Sequence, residues 1–242
     1  MPIEWSMTSQ ASASNGVKCL VYAESGYGKT ALCATAPTPI ILSAESGLLV
    51  LNKKNLEKLY GVNTPGISYD TPVINIRNVS DLTDALEWLT LAPDSARFKT
   101  VCMDSISEIA EVVLNNAKRQ VKDPRQAYGE LIEKMESVIR GYRDLPGKNV
   151  YITAKLEPMK DELTGIVKYG PSMPGTKLGP KLPYFFDEVF KLGINKDQHG
   201  TSYRFLQTSS DLQNIAKDRS GALEPMEPPH LTHVFNKILQ GA

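Results

Sequence analysis

A glycine-rich segment between an apolar run and a helix-forming stretch has the residue types that bind phosphate. Residues 23–30 read Ala-Glu-Ser-Gly-Tyr-Gly-Lys-Thr. Gly26 and Gly28 allow a tight turn in which successive backbone N–H groups point at one anion. A lysine in the position of Lys29 reaches the β- and γ-phosphates of a nucleotide, and the hydroxyl of Thr30 binds Mg²⁺. The segment therefore predicts a P-loop for a nucleoside triphosphate with Mg²⁺. Its predicted binding residues are Glu24, Ser25, Gly26, Tyr27, Gly28, Lys29 and Thr30.

Polar residues at the ends of other apolar runs would complete such a site. Asp104 ends a buried-looking run and is predicted to hold Mg²⁺ through water. Because Ser105 rather than a glutamate follows it, the water-activating carboxylate is predicted at Glu45, after the run that follows the P-loop helix. Thr153 and Lys155, at the end of a further run, are candidates to sense the γ-phosphate. Ordinary polar residues at a strand end explain them equally well.

The segment Asn195-Lys196-Asp197-Gln198 resembles a guanine-reading motif, but Gln198 stands where that motif needs an aspartate. It lies in a predicted hairpin turn, where asparagine and aspartate are favoured by the turn itself. The sequence therefore does not predict a GTPase.

The bulk composition limits the function classes. Lys plus Arg equal Asp plus Glu, so the formal net charge is +0 and any nucleic-acid binding must come from local patches. No apolar run approaches the roughly 18 residues of a membrane span, so no membrane partner is predicted. Three scattered cysteines lack metal-ligand spacing and fit a reduced, cytoplasmic compartment.

Strand-like and helix-like segments alternate along most of the chain, which predicts an α/β fold with a mainly parallel sheet covered on both faces. The predicted strands are 17–22, 39–43, 72–76, 100–104 and 149–154. The predicted helices are 29–36, 81–91 with Ser80 as its cap, a helix from Ser105 with a capping box to Glu108, 126–144 and 231–239.

The pattern changes after residue 155. Residues 156–183 show no clear period, whereas 188–194 and 203–208 predict a C-terminal β-hairpin that a short run at 214–217 follows. We predict a flexible lead-in at 1–16, a core at 17–222, and a proline-rich link with a terminal helix at 223–242.

A short basic segment near the C-terminal end of the predicted core resembles a motif of one particular protein family. Residues 216–221, Ala-Lys-Asp-Arg-Ser-Gly, resemble the Lys-x-Arg-x-Gly finger of the DnaB and RadA branch of RecA-like ATPases. There the two cations, here Lys217 and Arg219, project onto the γ-phosphate bound by a neighbouring subunit. Alternate positions on a strand point to one side, which suits such a joint role. A basic turn closed by Gly221 is the alternative.

With the P-loop, Glu45 and Asp104 in the same order, the chain resembles small phage-encoded RecA-like ATPases of the Sak-type single-strand annealing group. One departure is Ala23, where the first P-loop glycine is usual. The resemblance implies ATP and Mg²⁺ as cofactors and assembly into a ring or filament. It also implies single-stranded DNA binding, with annealing or strand exchange alongside a single-strand-binding protein in the cytoplasm of a phage host.

The same resemblance assigns the DNA path to residues 156–183. Lysines there could follow phosphates and a tyrosine could stack on a base. The candidate DNA-binding residues are Lys160, Lys168, Tyr169, Lys177 and Lys181. A solvated surface loop remains the alternative.

Three other functions fit the same motifs. The first is a phage replication helicase core or loader-like ATPase, although the chain leaves little room for a helicase accessory domain. The second is a binding module whose assembly ATP only stabilises. The third is a P-loop kinase for a small molecule.

Overall fold

A mostly parallel β-sheet runs through the chain, whose computed structural model describes residue 7 and residues 15–45, 47–160 and 165–241. The predicted lead-in 1–16 lies outside the described residues except at positions 7, 15 and 16. The strands are β1 (Lys18–Ala23), β2 (Pro39–Ser43), β3 (Val73–Asn75), β4 (Thr100–Asp104), β5 (Asn149–Lys160), β6 (Val167–Pro171), β7 (Glu188–Lys196), β8 (Ser202–Gln207) and β9 (Met226–Glu227).

The strand order is β3-β2-β4-β5-β1-β7-β8-β9, with β6 paired to β5. From β3 to β7 the neighbours are parallel, whereas β7–β8, β8–β9 and β5–β6 are antiparallel. β5 therefore separates β1, which leads into the P-loop, from β4, which ends at Asp104. The predicted fold class is confirmed: an α/β core with a mainly parallel sheet, a C-terminal β-hairpin and a terminal helix.

Helices cover both faces of this sheet. They are α1 (Lys29–Cys33), α2 (Lys53–Tyr60), α3 (Val79–Leu91), α4 (Ile106–Gln120), α5 (Pro124–Arg143) and α6 (Leu231–Gly241). Three 3₁₀ helices span Leu48–Leu51, Pro93–Arg97 and Gly179–Phe185 within the described residues.

Side chains of β1 alternate between two buried clusters, as the period of a strand requires. Leu20 and Tyr22 pack into the cluster that contains residues of α3, α4 and α5. Cys19 and Val21 pack into the opposite cluster, with residues of α1 and α6. Because both faces are covered, every residue of β1 is buried, and the strand holds the start of the P-loop firmly in the core.

The terminal helix α6 belongs to the second cluster, through side chains that include Phe235. Its start is tied to the end of the P-loop helix segment: Leu231 N donates to Thr35 Oγ1 at 2.9 Å, and Thr232 Oγ1 donates to the Thr35 carbonyl at 2.7 Å. The terminal helix thus packs directly against the segment that follows α1.

Two local predictions are wrong. The N-cap of α3 is Asn78, not Ser80: the Asn78 side chain accepts from Asp81 N, and the Asp81 carboxylate accepts from Asn78 N. At α4, Ser105 Oγ accepts from Glu108 N at 3.3 Å, but the Glu108 carboxylate pairs with Lys155 instead of closing the capping box. The Ser80 hydroxyl does not cap α3 but donates to Asn78 Oδ1 at 2.6 Å.

Residues 156–183 include a β-hairpin and the start of a 3₁₀ helix, although the sequence shows no clear period there. β5 continues to Lys160 and pairs with β6 in antiparallel register, while residues 161–164 lie outside the described part. Pro158 and Gly170 interrupt the alternation of polar and apolar side chains by which a strand is recognised in a sequence. The proline is tolerated because this extension of β5 lies beyond its parallel pairing with β1 and β4.

Cys19 and Cys102 are buried free thiols, as their apolar surroundings predict. Among the described helices, none combines the length and the apolar character that crossing a bilayer would require.

Glu188 is a buried carboxyl at the start of β7, close to Asp218. Its Oε2 atom has no hydrogen-bond partner among the described residues. Burial, reinforced by the negative charge of Asp218, raises the pKa of Glu188 from 4.5 to about 8. Between these two pH values the folded protein keeps a proton on Glu188 that the unfolded chain has released.

We expect the stability that Glu188 contributes to be fully present below about pH 4.5 and to be lost as the pH rises to about 8. Glu188→Gln cannot ionise, so it should remove this fall and raise the free energy of unfolding at pH 8 by on the order of a few kcal/mol. Urea denaturation between pH 5 and 9 measures both. The exposed Glu87→Gln is the control, and parallel pH profiles for wild type and Glu188→Gln would contradict the expectation.

Candidate nucleotide-binding site

A hollow of about 530 Å³ opens at the carboxyl end of β1, and the P-loop forms its floor. Gly26 and Gly28 adopt φ values of 80° and 105°, which an L side chain would strain. Gly28 also caps α1 in the left-handed conformation. Two of the predicted glycines therefore have the backbone geometry that a phosphate-binding turn requires.

Lys29 is held over the P-loop by the backbone that precedes it. Its Nζ donates to the carbonyl oxygens of Ala23 at 2.8 Å and Glu24 at 2.9 Å. Ala23, which stands where the first P-loop glycine is usual, is buried and contributes its carbonyl oxygen to this contact. Burial lowers the pKa of Lys29, while the negative charges of Asp104 and Glu45 counteract this. The ammonium thus faces the hollow beside two carboxylates.

The two predicted carboxylates come together because β2 and β4 are neighbours, with Ser43 opposite Asp104 in the register. Both Glu45 and Asp104 line the hollow. Ser105 Oγ donates to Glu45 Oε1 at 2.7 Å, which holds the glutamate beside the strand that carries Asp104. The Asp104–Ser105 peptide bond is cis.

Of the two γ-phosphate sensor candidates, Lys155 lines the hollow and Thr153 is not among its lining residues. Thr153 is fully buried, and its hydroxyl donates to Asp104 Oδ1 at 2.5 Å. Lys155 is half exposed and pairs with Glu108. Thr153 therefore orients the Asp104 carboxylate from the buried interior and does not face the hollow itself.

Thr30 and Asp104 offer a hydroxyl and a carboxylate to the same hollow. Hard oxygen ligands of this kind fit Mg²⁺, which keeps several waters and takes further ligands from nucleotide phosphates. The described residues contain no group of three or more His, Cys, Asp or Glu side chains that would hold a metal without a nucleotide. The donor set thus suits a magnesium ion that arrives with a triphosphate.

Sequence reasoning missed several residues that support this hollow. Ser105 was interpreted only as a helix cap, yet it positions Glu45. The buried Tyr151 donates from its hydroxyl to the Lys29 carbonyl at 2.9 Å and so fixes the first turn of α1. Arg204, on β8, lies so near the P-loop that a Cβ added at Gly28 would be 3.4 Å from its Nε. No local sequence motif predicts these contacts, because each of them joins parts of the chain that are far apart in the sequence.

The two predicted finger cations have different environments. Lys217 Nζ donates to the carbonyl oxygens of Pro183, at 2.8 Å, and Phe186, so its charge is used within its own chain. Arg219 Nη1 donates to Asp187 Oδ1 at 2.7 Å, and the arginine side chain remains 62% exposed. Of the pair, the Arg219 guanidinium is the one that faces solvent.

The predicted DNA-binding side chains are divided by the β5–β6 hairpin. Lys160 and Tyr169 fall on one face of it, while Lys168 falls on the other, because strand side chains alternate. Tyr169 is 40% exposed. Lys177 is exposed in the following loop, and Lys181 forms a 3.0 Å ion pair with a glutamate of α5. The hairpin brings Lys160 and Tyr169 to one surface.

Comparison with known proteins places these features in a wider context. A family model described as an AAA domain matches residues 15–220, a range that includes the P-loop, both carboxylates and the basic segment up to Ser220. Among solved structures, the chain is similar to a KaiC-like protein from the hyperthermophilic archaeon Pyrococcus horikoshii. That similarity has a TM-score of 0.40 and 12% sequence identity, over 79% of this chain and 77% of that one. No curated protein matches the chain.

Proposed function

The chain belongs to the AAA domain family, and from this premise we propose that it is a Mg²⁺-dependent ATPase that binds single-stranded DNA and anneals or exchanges strands. The observation that carries the ATPase part is the convergence of Lys29, Thr30, Asp104 and Glu45 in one hollow above the P-loop. The DNA part rests on the resemblance to phage annealing ATPases and on the basic, aromatic hairpin. That resemblance also supports a host-cytoplasmic protein that works with a single-strand-binding protein.

Each residue of the hollow has a distinct task in this proposal. Lys29 exchanges its carbonyl partners for β- and γ-phosphate oxygens. Thr30 and Asp104 hold Mg²⁺, which offsets the negative charge on the phosphates when it is bound. Glu45 has one oxygen on Ser105, which leaves the other to orient and deprotonate the attacking water.

The position of Arg219 supports an assembly of several copies. Its segment neighbours the amino end of β1, since Asp187, its ion-pair partner, donates from its backbone N–H to the Lys18 carbonyl. The P-loop leaves the other end of this six-residue strand, roughly 20 Å away at about 3.3 Å per residue. This distance supports a role for Arg219 at a neighbour's nucleotide rather than at its own, in a head-to-tail ring or filament.

A chain of contacts joins the nucleotide hollow to the proposed DNA surface. Lys155, at the edge of the hollow, donates from its backbone N–H to Ser107 Oγ at 3.0 Å. Ser107 Oγ donates to the Ser172 carbonyl, and Ser172 Oγ donates to Glu157 Oε2 at 2.8 Å, inside the hairpin. A nucleotide that moves Lys155 would therefore also act on the hairpin that carries Lys160 and Tyr169.

We expect single-stranded DNA to stimulate ATP hydrolysis several-fold and Lys29→Ala to abolish both basal and stimulated activity, because Lys29 binds the transferred phosphate. Phosphate release with and without a single-stranded oligonucleotide measures this. Duplex DNA of equal length is the control ligand. Hydrolysis that depends on Lys29 but is indifferent to DNA would reject the recombination part and keep the ATPase.

A further inference from the structure

The buried carboxyl group of Glu188 takes no part in the proposed mechanism, yet its surroundings connect it to Arg219. The Glu188 side chain is 1% exposed, and its Oε2 atom has no hydrogen-bond partner among the described residues. A buried carboxylate oxygen without a donor is unfavourable, whereas a protonated carboxyl group can itself donate a hydrogen bond. An acceptor for that proton lies on the segment that contains Arg219.

This acceptor is Asp218, which lies opposite Glu188 beside a short antiparallel bridge. Val189 and Lys217 exchange both backbone hydrogen bonds, each at 2.8 Å. The next opposing pair is therefore Glu188 with Asp218, with their side chains on one face and roughly 5 Å between Cβ atoms. Because side chains alternate along an extended segment, Asp218 points towards Glu188, and the exposed Arg219 points away from it.

Asp218 also shapes the turn around Arg219. Its Oδ1 atom accepts from Ser220 N at 2.8 Å, from Ser220 Oγ at 2.6 Å and from Gly221 N at 3.1 Å. We refer to residues 218–221 as the Arg219 turn. Because these hydrogen bonds converge on one carboxylate, a displacement of Asp218 also displaces Arg219.

The pKa values of the two carboxyl groups shift in opposite directions. Burial and then the negative charge of Asp218 raise the pKa of Glu188 to about 8, although the backbone N–H groups of Arg219 and Ser220 counteract the rise. Burial alone would raise the pKa of Asp218, but hydrogen bonds, including those from Ser220, lower it below its usual range. At neutral pH the pair therefore holds one proton, on Glu188, and Asp218 is the charged member.

Two other titratable side chains lie close to Glu188. Cys19 of β1 is paired with it in the register, and burial, followed by the charge of Glu188, raises the pKa of this thiol well above its usual range. Lys217 interacts with Glu188 through its charge, but its ammonium donates to the carbonyl groups of Pro183 and Phe186. Within the described part of the chain, neither side chain donates a hydrogen bond to Glu188.

We propose that Glu188 is a positioning residue for Arg219: as a neutral acid it donates a hydrogen bond from Oε2 to the Asp218 carboxylate and holds the Arg219 turn in place. When the proton is released to water, the Glu188 anion repels Asp218 and displaces the turn. This inference rests on the proposed function, because Arg219 is assigned there to a neighbour's ATP. It makes hydrolysis dependent on pH through a buried residue outside the nucleotide hollow.

Nuclear magnetic resonance of the isotope-labelled full chain between pH 6 and 9 tests the positioning directly. We expect the backbone amide signals of Ser220 and Gly221 to shift with a midpoint near the Glu188 pKa of about 8. In Glu188→Gln these signals should not titrate, because the glutamine amide also donates to Asp218 but cannot ionise. The exposed Glu87→Gln is the control and should titrate as wild type. Signals that stay constant in wild type, or that titrate equally in Glu188→Gln, would overturn the proposal.

The steady-state kinetics of ATP hydrolysis test the connection to Arg219. Between pH 7 and 9 the protonated fraction of a group with a pKa of about 8 falls about tenfold, and we expect kcat to fall by the same factor. The KM for ATP should change little, because Arg219 acts on the transferring phosphate. Glu188→Gln should lose this fall.

The two measurements separate a failure of this inference from a failure of the proposed function. If wild type and Glu188→Gln share one pH profile of kcat while Arg219→Ala is inactive, positioning by Glu188 is overturned and the proposed function stands. Full activity of Arg219→Ala would instead reject the finger of the proposed function, and with it the effect of Glu188 on hydrolysis.

Discussion

Glu45→Gln is expected to lower the rate of ATP hydrolysis by about two to four orders of magnitude and to leave ATP binding close to that of wild type. Glutamine has the shape of glutamate and can still accept the hydrogen bond that Ser105 Oγ donates. It cannot take a proton from water at neutral pH. The loss therefore falls on the chemical step, whereas the P-loop, Lys29 and Thr30 continue to hold the triphosphate.

Single-turnover hydrolysis and calorimetric ATP binding, measured on the same preparations, separate these two effects. Ser105→Ala should cause a smaller loss, about tenfold, because it leaves the carboxylate present but removes the hydroxyl that orients it. Glu87→Gln, on the exposed face of α3, is a matched control outside the site. Wild-type turnover in Glu45→Gln would show that another group activates the water.

Arg219→Ala is expected to lower ATP hydrolysis by about three to five orders of magnitude, the range for a cation that stabilises the transferring phosphate. The physical reason is the placement of Arg219 near the amino end of β1, on an exposed side chain that can reach a neighbour's site. Fold stability should change little, because the Arg219–Asp187 pair is an exposed one.

Mixing two inactive variants provides the decisive test of action between subunits. In a mixture of Arg219→Ala and Lys29→Ala, some sites combine an intact Lys29 from one subunit with an intact Arg219 from the next. A random equimolar ring or filament would place such pairs at about a quarter of its interfaces. We therefore expect measurable activity in the mixture where each variant alone has none.

A mixture of Glu45→Gln and Lys29→Ala is the control, because both lesions lie in the same hollow and no subunit contributes a complete one. It should remain inactive. If the first mixture is also inactive although the variants co-assemble, Arg219 acts within its own subunit or has no catalytic part, and the finger assignment fails.

The sheet and its P-loop were predictable because their signals are local. The phosphate-binding residues occupy one continuous stretch, and the strands are short apolar runs that need no distant partner to be recognised. The meeting of Glu45 and Asp104 was also predictable, since the carboxyl ends of parallel strands share one edge of a sheet. In contrast, α2 was not predicted, because it is a short and mostly polar segment in which Leu56 is the single buried residue.

The supporting contacts could not be predicted in the same way. Ser105 and Glu45 are 60 residues apart, and whether a serine caps a helix or binds a carboxylate depends on what the fold brings near it. The same holds for Thr153, which points at Asp104, and for Lys217, whose charge is taken up by carbonyl groups of its own chain. Which polar group each of these side chains binds depends on the competing partners within hydrogen-bonding distance, and the sequence does not give those distances.

From the order of its residues alone, this chain specifies the glycine-rich loop after β1, the aspartate that ends β4 and the parallel sheet that carries them. Those features follow from backbone geometry and from the period of buried side chains, which neighbouring residues determine. Only the tertiary structure decided that β5 continues into a hairpin, that Ser105 holds Glu45, and that Arg204 lies beside Gly28 of the P-loop. These depend on the order of strands in the sheet, which sets which distant side chains come within hydrogen-bonding distance.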